Sequence, residues 1–326
     1  FNSDSQKLEY WMGSAWMQIE TFNPNLDGGA RGVFSGGDPS RDTNMDYITI
    51  ATRGNGTDFG DFPISNGTGN RGIIGSNTRG FCNGGESPSA GDSHNVIGKW
   101  EFASTGSAID FANLTFTSKG GPGLSNATRA IQARGYGAPS ITHEDVCFFT
   151  MASQQDAVDF GDLISGSSYG GSGIASPTIG VIITSRSSSV NLVNNIEYVT
   201  IATTGSFNDF GDVTNIDNAD FTATAGNSTR GVLAGGQDTP NTQTEISYVT
   251  YATKGNTIKF GDLHTANSYA AAVSDSITMI TGGGQGATNR MDAINIATGG
   301  TSVDSGDLTV SKTTMTGSSN GHGGLG

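Results

Sequence analysis

The chain is short of the side chains that do most protein chemistry. It holds four histidines, His94, His143, His264 and His322, and two cysteines, Cys82 and Cys147. No histidine lies in a G-x-S-x-G elbow or an H-E-x-x-H pair, so nucleophilic and zinc-peptidase chemistry lack their motif. Ordinary hydrogen bonding in loops or at strand ends accounts for them. The two cysteines fall in different repeats, make no disulfide framework and read as small buried apolar groups. Basic residues are also scarce: 16 Lys and Arg stand against 30 Asp and Glu, a net charge of −14. With the basic residues scattered singly, a phosphate-backbone partner is excluded, so no nucleic acid is expected. No run approaches the roughly 18 apolar residues of a membrane span, and no membrane insertion is expected. The N-terminus lacks the basic-then-apolar order of a signal peptide. It opens on Phe1 rather than Met, which leaves room for sequence upstream. Only 8 Pro accompany 50 Gly, which excludes collagen and proline-rich linkers and points to many tight turns.

What the chain has is a repeat. NIEYVTIATTGSFNDFGDV (Asn195 to Val213) recurs as MDYITIATRGNGTDFGDF from Met45 and EISYVTYATKGNTIKFGDL from Glu245, with looser copies from Val96, Glu144 and Arg290. Ahead of each copy lies a short run such as RGVFSGG, and the starts of these runs, Arg31, Arg79, Arg129, Ile179, Arg230 and Ile277, are 48, 50, 50, 51 and 47 residues apart. Each period reads as four strands. They are a Gly/Ser/Ala-rich run, the RGVFSGG run, a strand apolar on both faces typified by IEYVTIAT, and the short DFGDL strand. Four antiparallel strands in about fifty residues, two of them apolar on both faces, describe a blade of a β-propeller. The small-residue run suits the narrow axial end of the wedge.

After Ile277, 49 residues remain, and the last small-residue run, TMTGSSN (Thr314 to Asn320), has no following partner, while Arg31 begins a blade that lacks one. Pairing the two closes a ring of six blades and removes both free edges. The expected organisation is an all-β, six-bladed propeller over residues 28–326, with blade 1 closed by residues 314–320. Residues 1–27 form a separate small β-hairpin, the runs LEYW and AWMQI around a Met-Gly-Ser turn. With Tyr10, Trp11 and Trp16, that hairpin carries more apolar surface than it can bury alone. It is expected to pack on another chain or an upstream domain, or to fold back on its own propeller.

The strand order and the glycine doublets resemble kelch repeats over roughly Gly28 to Gly326, although Phe59, Phe111, Phe160, Phe210 and Phe260 stand where kelch repeats carry Trp. The combination of RGVxxGG, IxYxTIATxGNxxDFGDL and a terminal GHGGLG is similar to repeat proteins of tailed bacteriophages, notably marine ones. FNSDSQKLEYWMGSAWMQI likewise resembles a hairpin that joins or ends phage tail-fibre segments. The resemblance implies a kelch-like propeller on the virion surface, on a tail fibre or as a capsid fibre or decoration. Its implied partners are other virion proteins and a host cell-surface glycan or envelope protein, with a homotrimer formed through the N-terminal segment. Kelch-like oxidases hold copper with Cys, Tyr and His facing the axis. Cys82 and Cys147 lie on the second and third strands of their periods, so neither copper nor any other cofactor is expected.

Carboxylate pairs such as Asp58 with Asp61 and Asp209 with Asp212 invite a glycosidase reading, but the pair recurs in three copies. A residue repeated in most blades is doing structural work in each, as a turn cap or a bond to the neighbouring blade. No D-x-D-x-D-G calcium loop is present. Asn126 and Asn227, in N-x-S/T triplets, mark exposed turns. Non-catalytic recognition remains. In an antiparallel meander the loops after the second and fourth strands share a face, and these loops diverge most between copies. The planar side chains they carry, Arg41, Tyr136, His143, Tyr169, His264 and Tyr269, are the candidates for stacking on sugar rings, with plain loop packing the alternative role of each. A purely structural decoration module is the second reading and a propeller-fold carbohydrate-active enzyme the third.

Overall fold

The structure, a computed structural model, describes residues 8–11, 13–19, 29–39, 43–63, 72–86, 93–136, 143–164, 169–185, 193–214, 221–238 and 241–326. It is an all-β propeller of six blades. From axis to rim, blade 1 runs Thr316–Ser319, Arg31–Ser35, Asn44–Thr49 and Thr57–Asp61. Blade 2 has Arg79–Asn83, Val96–Glu101 and Ile109–Asn113. Blade 3 has Gly123–Ser125, Arg129–Ala133, Asp145–Thr150 and Val158–Asp162, and blade 4 has Ser172–Ala175, Ile179–Ile183, Asn195–Thr200 and Asn208–Asp212. Blade 5 comprises Ala223–Gly226, Arg230–Ala234, Glu245–Thr250 and Ile258–Asp262. Blade 6 comprises Ala271–Ser274, Thr278–Gly282, Thr288–Asn295 and Val303–Lys312. The ring closes where Thr316 to Ser319 pair antiparallel with Ser35 to Gly32.

The apolar core lies between blades. One cluster joins Leu124, Ile131 and Phe160 of blade 3 to Ile182, Val199 and Ile201 of blade 4. This is why the third strand is apolar on both faces: each face meets a different neighbour. Burying each such side chain is worth about 1.5–3 kcal/mol.

The recurring DFGD stretch is a β-bulge. In all six blades the register between the third and outer strands slips by one residue at the same place, as between Met45 and Asp46 or Ile196 and Glu197. The extra residue turns its ring inward, so Phe59, Phe160 and Phe210 are buried. The glycine after it takes a left-handed φ, +142° at Gly60 and Gly161 and +147° at Gly211. A Cβ on Gly60 would lie 2.5 Å from the Gly106 carbonyl carbon of the next blade, so no larger residue fits.

That close approach lets the outer strand bond to the next blade's turn. Gly106 N donates to Phe59 O, Gly205 N to Phe160 O, Gly255 N to Phe210 O and Ser302 N to Asp262 O. Gly54 N to Ser305 O and Gly56 N to Asp307 O carry the belt across the closure. The acids act as structural groups: Asp58 accepts from Gly60 N at 3.1 Å, Asp61 from Thr43 Oγ1 at 2.8 Å and Asp304 from Gly306 N at 2.8 Å. Buried Asp46 accepts from Thr309 N and Oγ1 at 2.8 and 2.7 Å, across the closure.

The arginines that open the second strands are latches between blades. Three of the guanidinium groups lie on an aromatic ring of their own blade, Arg31 on Tyr47, Arg129 on Phe148 and Arg230 on Tyr248, 4.3 to 4.6 Å from the centroids, while Arg79 pairs with Glu101 at 3.3 Å. Each then donates forward to a carbonyl, Arg31 to Phe102, Arg79 to Met151, Arg129 to Ile201 and Arg230 to Ala297. Asn126 and Asn227 sit in the turns after the inner strands. Each accepts from two backbone N–H groups with Oδ1 and donates Nδ2 to the next blade, to Pro177 O and Ser276 O.

Near the N-terminus, Leu8–Trp11 and Trp16–Ile19 form a hairpin. Trp11 and Trp16 pack at 5.6 Å yet are 53% and 66% exposed.

Deleting everything after Lys312 removes the inner strand of blade 1 and uncovers the Arg31–Ser35 ladder. The expected outcome is a melting temperature lower by roughly 10 °C or more, read by calorimetry. A truncated chain that melts with the full one would contradict closure through this strand.

Candidate functional site

The axis is the first place to look for a site in a propeller, and here it is filled. The inner strands carry Gly, Ala, Ser and Thr where they meet: Gly123, Gly173, Thr224, Ala272 and Gly317 are level with one another. Blade 2 has Ile73 at that level, and its run RGIIGSN does not form the regular strand expected of it. Only isolated bridges remain, at Gly72 and Gly75. The reason is steric, because this level holds nothing larger than Thr224 in the other blades, and at Gly173 even a Cβ would meet the Gly123 carbonyl. The segment leaves the ladder instead. Gly72 bridges to Gly173 of blade 4, and buried Ile73 packs among Ala223, Ala225 and Ala272 of blades 5 and 6.

The C-terminal residues fill the other end. His322 is buried on the axis, its Nε2 2.9 Å from Gly75 O and 3.4 Å from Ser125 Oγ, while its Nδ1 accepts from Gly324 N at 3.2 Å. An accepting Nδ1 puts the proton of the neutral ring on Nε2, which donates to Gly75 O. Burial holds the imidazole down at about 4, against the opposing hydrogen bond to the Gly75 carbonyl. Two axial cavities, one beside His322 and Gly323 and one beside Gly72 and Met315, have free volumes of about 10 Å³ each, room for a water molecule. Among the described residues no three His, Cys, Asp or Glu side chains gather as a metal site. Cys82 and Cys147 are buried and form no disulfide, and burial pushes the Cys147 thiol up to about 12.

The face carrying the loops after the second and fourth strands is built differently. Where the chain turns into each inner strand, one residue adopts a left-handed backbone: Gly120 (φ 63°), Gly170 (80°), Phe221 (55°), Tyr269 (60°) and Thr314 (57°). Their amides join blade to blade, Gly170 N to Gly120 O, Phe221 N to Gly170 O, Tyr269 N to Phe221 O and Thr314 N to Tyr269 O. Blades 3 and 4 use the glycine this conformation favours. Blades 5 and 6 instead hold large rings there, at a backbone cost of about 1–2 kcal/mol each.

These rings extend into an arc around the axial mouth. Phe221 stacks on Tyr269 with centroids 4.0 Å apart, Tyr169 meets Phe221 edge-on at 5.7 Å, and Tyr136 meets Tyr169 at 6.0 Å. At one end Lys119 Nζ lies 4.7 Å from the Tyr136 centroid and 3.0 Å from Glu86 Oε1. At the other the Tyr269 hydroxyl donates to Gln237 Oε1 at 2.8 Å. Beside it is an amide cluster: Asn267 donates to Gly283 O and accepts from Gln285 N, while Thr242 and Ser268 hydroxyls converge on Gln285 Oε1.

Three of the candidates read from the sequence, Tyr136, Tyr169 and Tyr269, thus meet in one arc, each half-buried. His143 stands in a charge cluster, its Nδ1 3.8 Å from Asp145 Oδ2, which also takes Arg134 NH1 at 3.2 Å. His264 is exposed beyond the outer strand of blade 5, its amide donating to Ser302 Oγ of blade 6. Arg41 lies outside the described residues. Phe221 and the amides Gln237, Asn267 and Gln285 were not singled out from sequence. Phe221 had a signal, an aromatic just before a small-residue run, as at Tyr269.

No family model and no curated protein matches the sequence. In shape, 397 solved chains match, so many sequences adopt this arrangement and shape alone assigns no ligand. One is the structure of YjhT, at a TM-score of 0.63 and 12% identity, covering 84% of this chain and 90% of that one. At that identity the likeness shows the propeller fold.

The buried His322 gives stability a pH dependence. Between pH 6.5 and about 4 the unfolded chain takes up a proton that the folded chain refuses, so stability falls as pH drops through this window. The full loss is on the order of 3 kcal/mol. Denaturant titrations of the full chain and of His322→Gln across pH 7 to 4 should differ in slope by this amount. Equal slopes would mean that the imidazole is not held neutral.

Proposed function

We propose that this protein belongs on the surface of a tailed-phage virion, on a tail fibre or as a capsid fibre or decoration, and recognises host-surface sugar without chemistry. One observation carries the recognition reading: Tyr136, Tyr169 and Tyr269, from three different blades, converge on the mouth of the axis together with Phe221. Two of these rings sit on left-handed backbone where sibling blades have glycine. Strain retained at a surface opening is a recurring mark of function. The virion reading rests on FNSDSQKLEYWMGSAWMQI, the DFGD repeats and the terminal GHGGLG.

The acids that invite a hydrolase reading are repeated and bonded to backbone or hydroxyls, and the two axial cavities lined by described residues each have room for water alone. The described residues of the rim present an aromatic arc, which suits binding. A decoration module is the second reading, favoured by the exposed Trp11 and Trp16 pair, which suits attachment to another virion protein. Attachment and host recognition are compatible, one at the hairpin and the other at the rim.

A glycan array probed with the full chain, with and without EDTA, tests the reading. Binding should survive the chelator and fall at least about tenfold in Tyr169→Ala, with a melting curve within a few degrees of the parent. An array without signal would favour the decoration module.

A further inference from the structure

The groups around the arc narrow the ligand class. The cation at the Tyr136 end is already matched, with Lys119 Nζ 3.0 Å from Glu86 Oε1 and Glu86 itself nearly buried. The buried Lys312 ammonium is taken by Asn44, through its carbonyl at 3.4 Å and Oδ1 at 3.2 Å. Among the described residues the arginines of this face are paired as well, Arg134 with Asp145 and Arg290 with Asp292, and the remaining charges beside the arc are acidic. Asp38 accepts from Thr314 Oγ1, one step along the backbone ring from Tyr269, and Asp238 follows Gln237 in the loop that holds the Tyr269 hydroxyl. The chain as a whole carries −14. A carboxylated or sulfated sugar would therefore approach a negative surface and find both nearby ammonium groups engaged.

What the arc offers is uncharged. Tyrosine faces and edges stand beside side-chain amides, Gln237, Asn267 and Gln285, and the hydroxyls of Thr242 and Ser268. Aromatic rings take the C–H face of a pyranose, and amides exchange hydrogen bonds with its hydroxyls without a charge to desolvate. We propose that the half-exposed tyrosines of the arc, Tyr136, Tyr169 and Tyr269, held by buried Phe221, form with the adjoining amides of blades 5 and 6 a subsite for an uncharged sugar ring. The proposal rests on the recognition reading above and adds the chemical class and the position of the ligand.

The backbone supplies a variant that removes a ring without threatening the fold. Tyr269 has φ 60°, and blades 3 and 4 carry Gly120 and Gly170 at the same place, so Tyr269→Gly deletes the side chain while relieving left-handed strain. Its melting temperature should stay within a few degrees of the parent. Calorimetric titrations of the full chain, Tyr269→Gly and Tyr136→Ala would use maltotriose and chitotriose as neutral probes and trigalacturonate and sialyllactose as acidic ones.

The expected result is binding of a neutral probe, at least tenfold weaker in both variants, with no acidic probe bound more tightly. Neutral binding unchanged in both folded variants would overturn the arc as the subsite while leaving recognition elsewhere on the rim. Binding confined to the acidic probes would overturn the charge argument and leave sugar recognition standing. Silence from all four probes, together with a blank array, would overturn the recognition reading and this proposal with it.

Discussion

Six inner segments, five of them strands, meet on one axis and leave room for little beyond backbone, and most of the molecule follows from that constraint. Gly173 and Gly317 at this level touch the preceding blade's main chain directly, and Gly123 the side chain of Ile74. The one large residue there, Ile73, has to leave its ladder, and by doing so it fills the channel the ring would otherwise enclose. Gly323 and Gly324 come in from the opposite end against the carbonyls of Ala175 and Ser125, with His322 between them and Gly75. The axis thereby becomes part of the core. A ligand is left with the rim, where divergent loops and the aromatic arc lie.

The same close approach governs the outside of the ring. A propeller leaves an outer edge on every blade, and exposed strand edges invite association. Here each outer strand bulges at the DFGD position, with Ala112 in place of the glycine in blade 2, and passes hydrogen bonds to the next blade's turn, as Gly205 to Phe160 and Gly255 to Phe210. Arginine latches and asparagine-capped turns repeat the same forward connection at two other radii. Neighbouring blades are therefore joined by side-chain clusters, main-chain bonds and arginine-to-carbonyl hydrogen bonds together. Such redundancy lets individual copies drift, as where Ile179 replaces the latch arginine in blade 4.

The spacing of Arg31, Arg79, Arg129, Ile179, Arg230 and Ile277 made six blades legible, because a period of about fifty residues with a two-faced apolar strand has few other solutions. The structural role of the repeated acids was legible for the same reason: a group present in most blades serves each blade. Less was readable where one copy departs from the rest. Ile73 was visible as a large residue in a small-residue run, but that it would cross to blades 5 and 6 depends on a cavity only the closed ring defines. His322 sits in a glycine-rich tail that reads as polar and exposed, and its burial follows from the same closure. The arc was half legible. Its tyrosines were singled out as rim residues, whereas their convergence depends on left-handed turns at Phe221 and Tyr269 that aromatic residues seldom adopt.

The central claim, a closed axis beside an open mouth, can be measured without any ligand. Cys82 and Cys147 are buried, so a new cysteine reports against a quiet background. Labelling rates of Ile73→Cys and Tyr136→Cys with a water-soluble maleimide would be compared in the full chain under native conditions. The account predicts that the cysteine at 136 reacts promptly and that the one at 73 reacts only as fast as the protein unfolds. Equal, rapid labelling at both positions would mean an open channel through the ring, and would return the functional site to the axis.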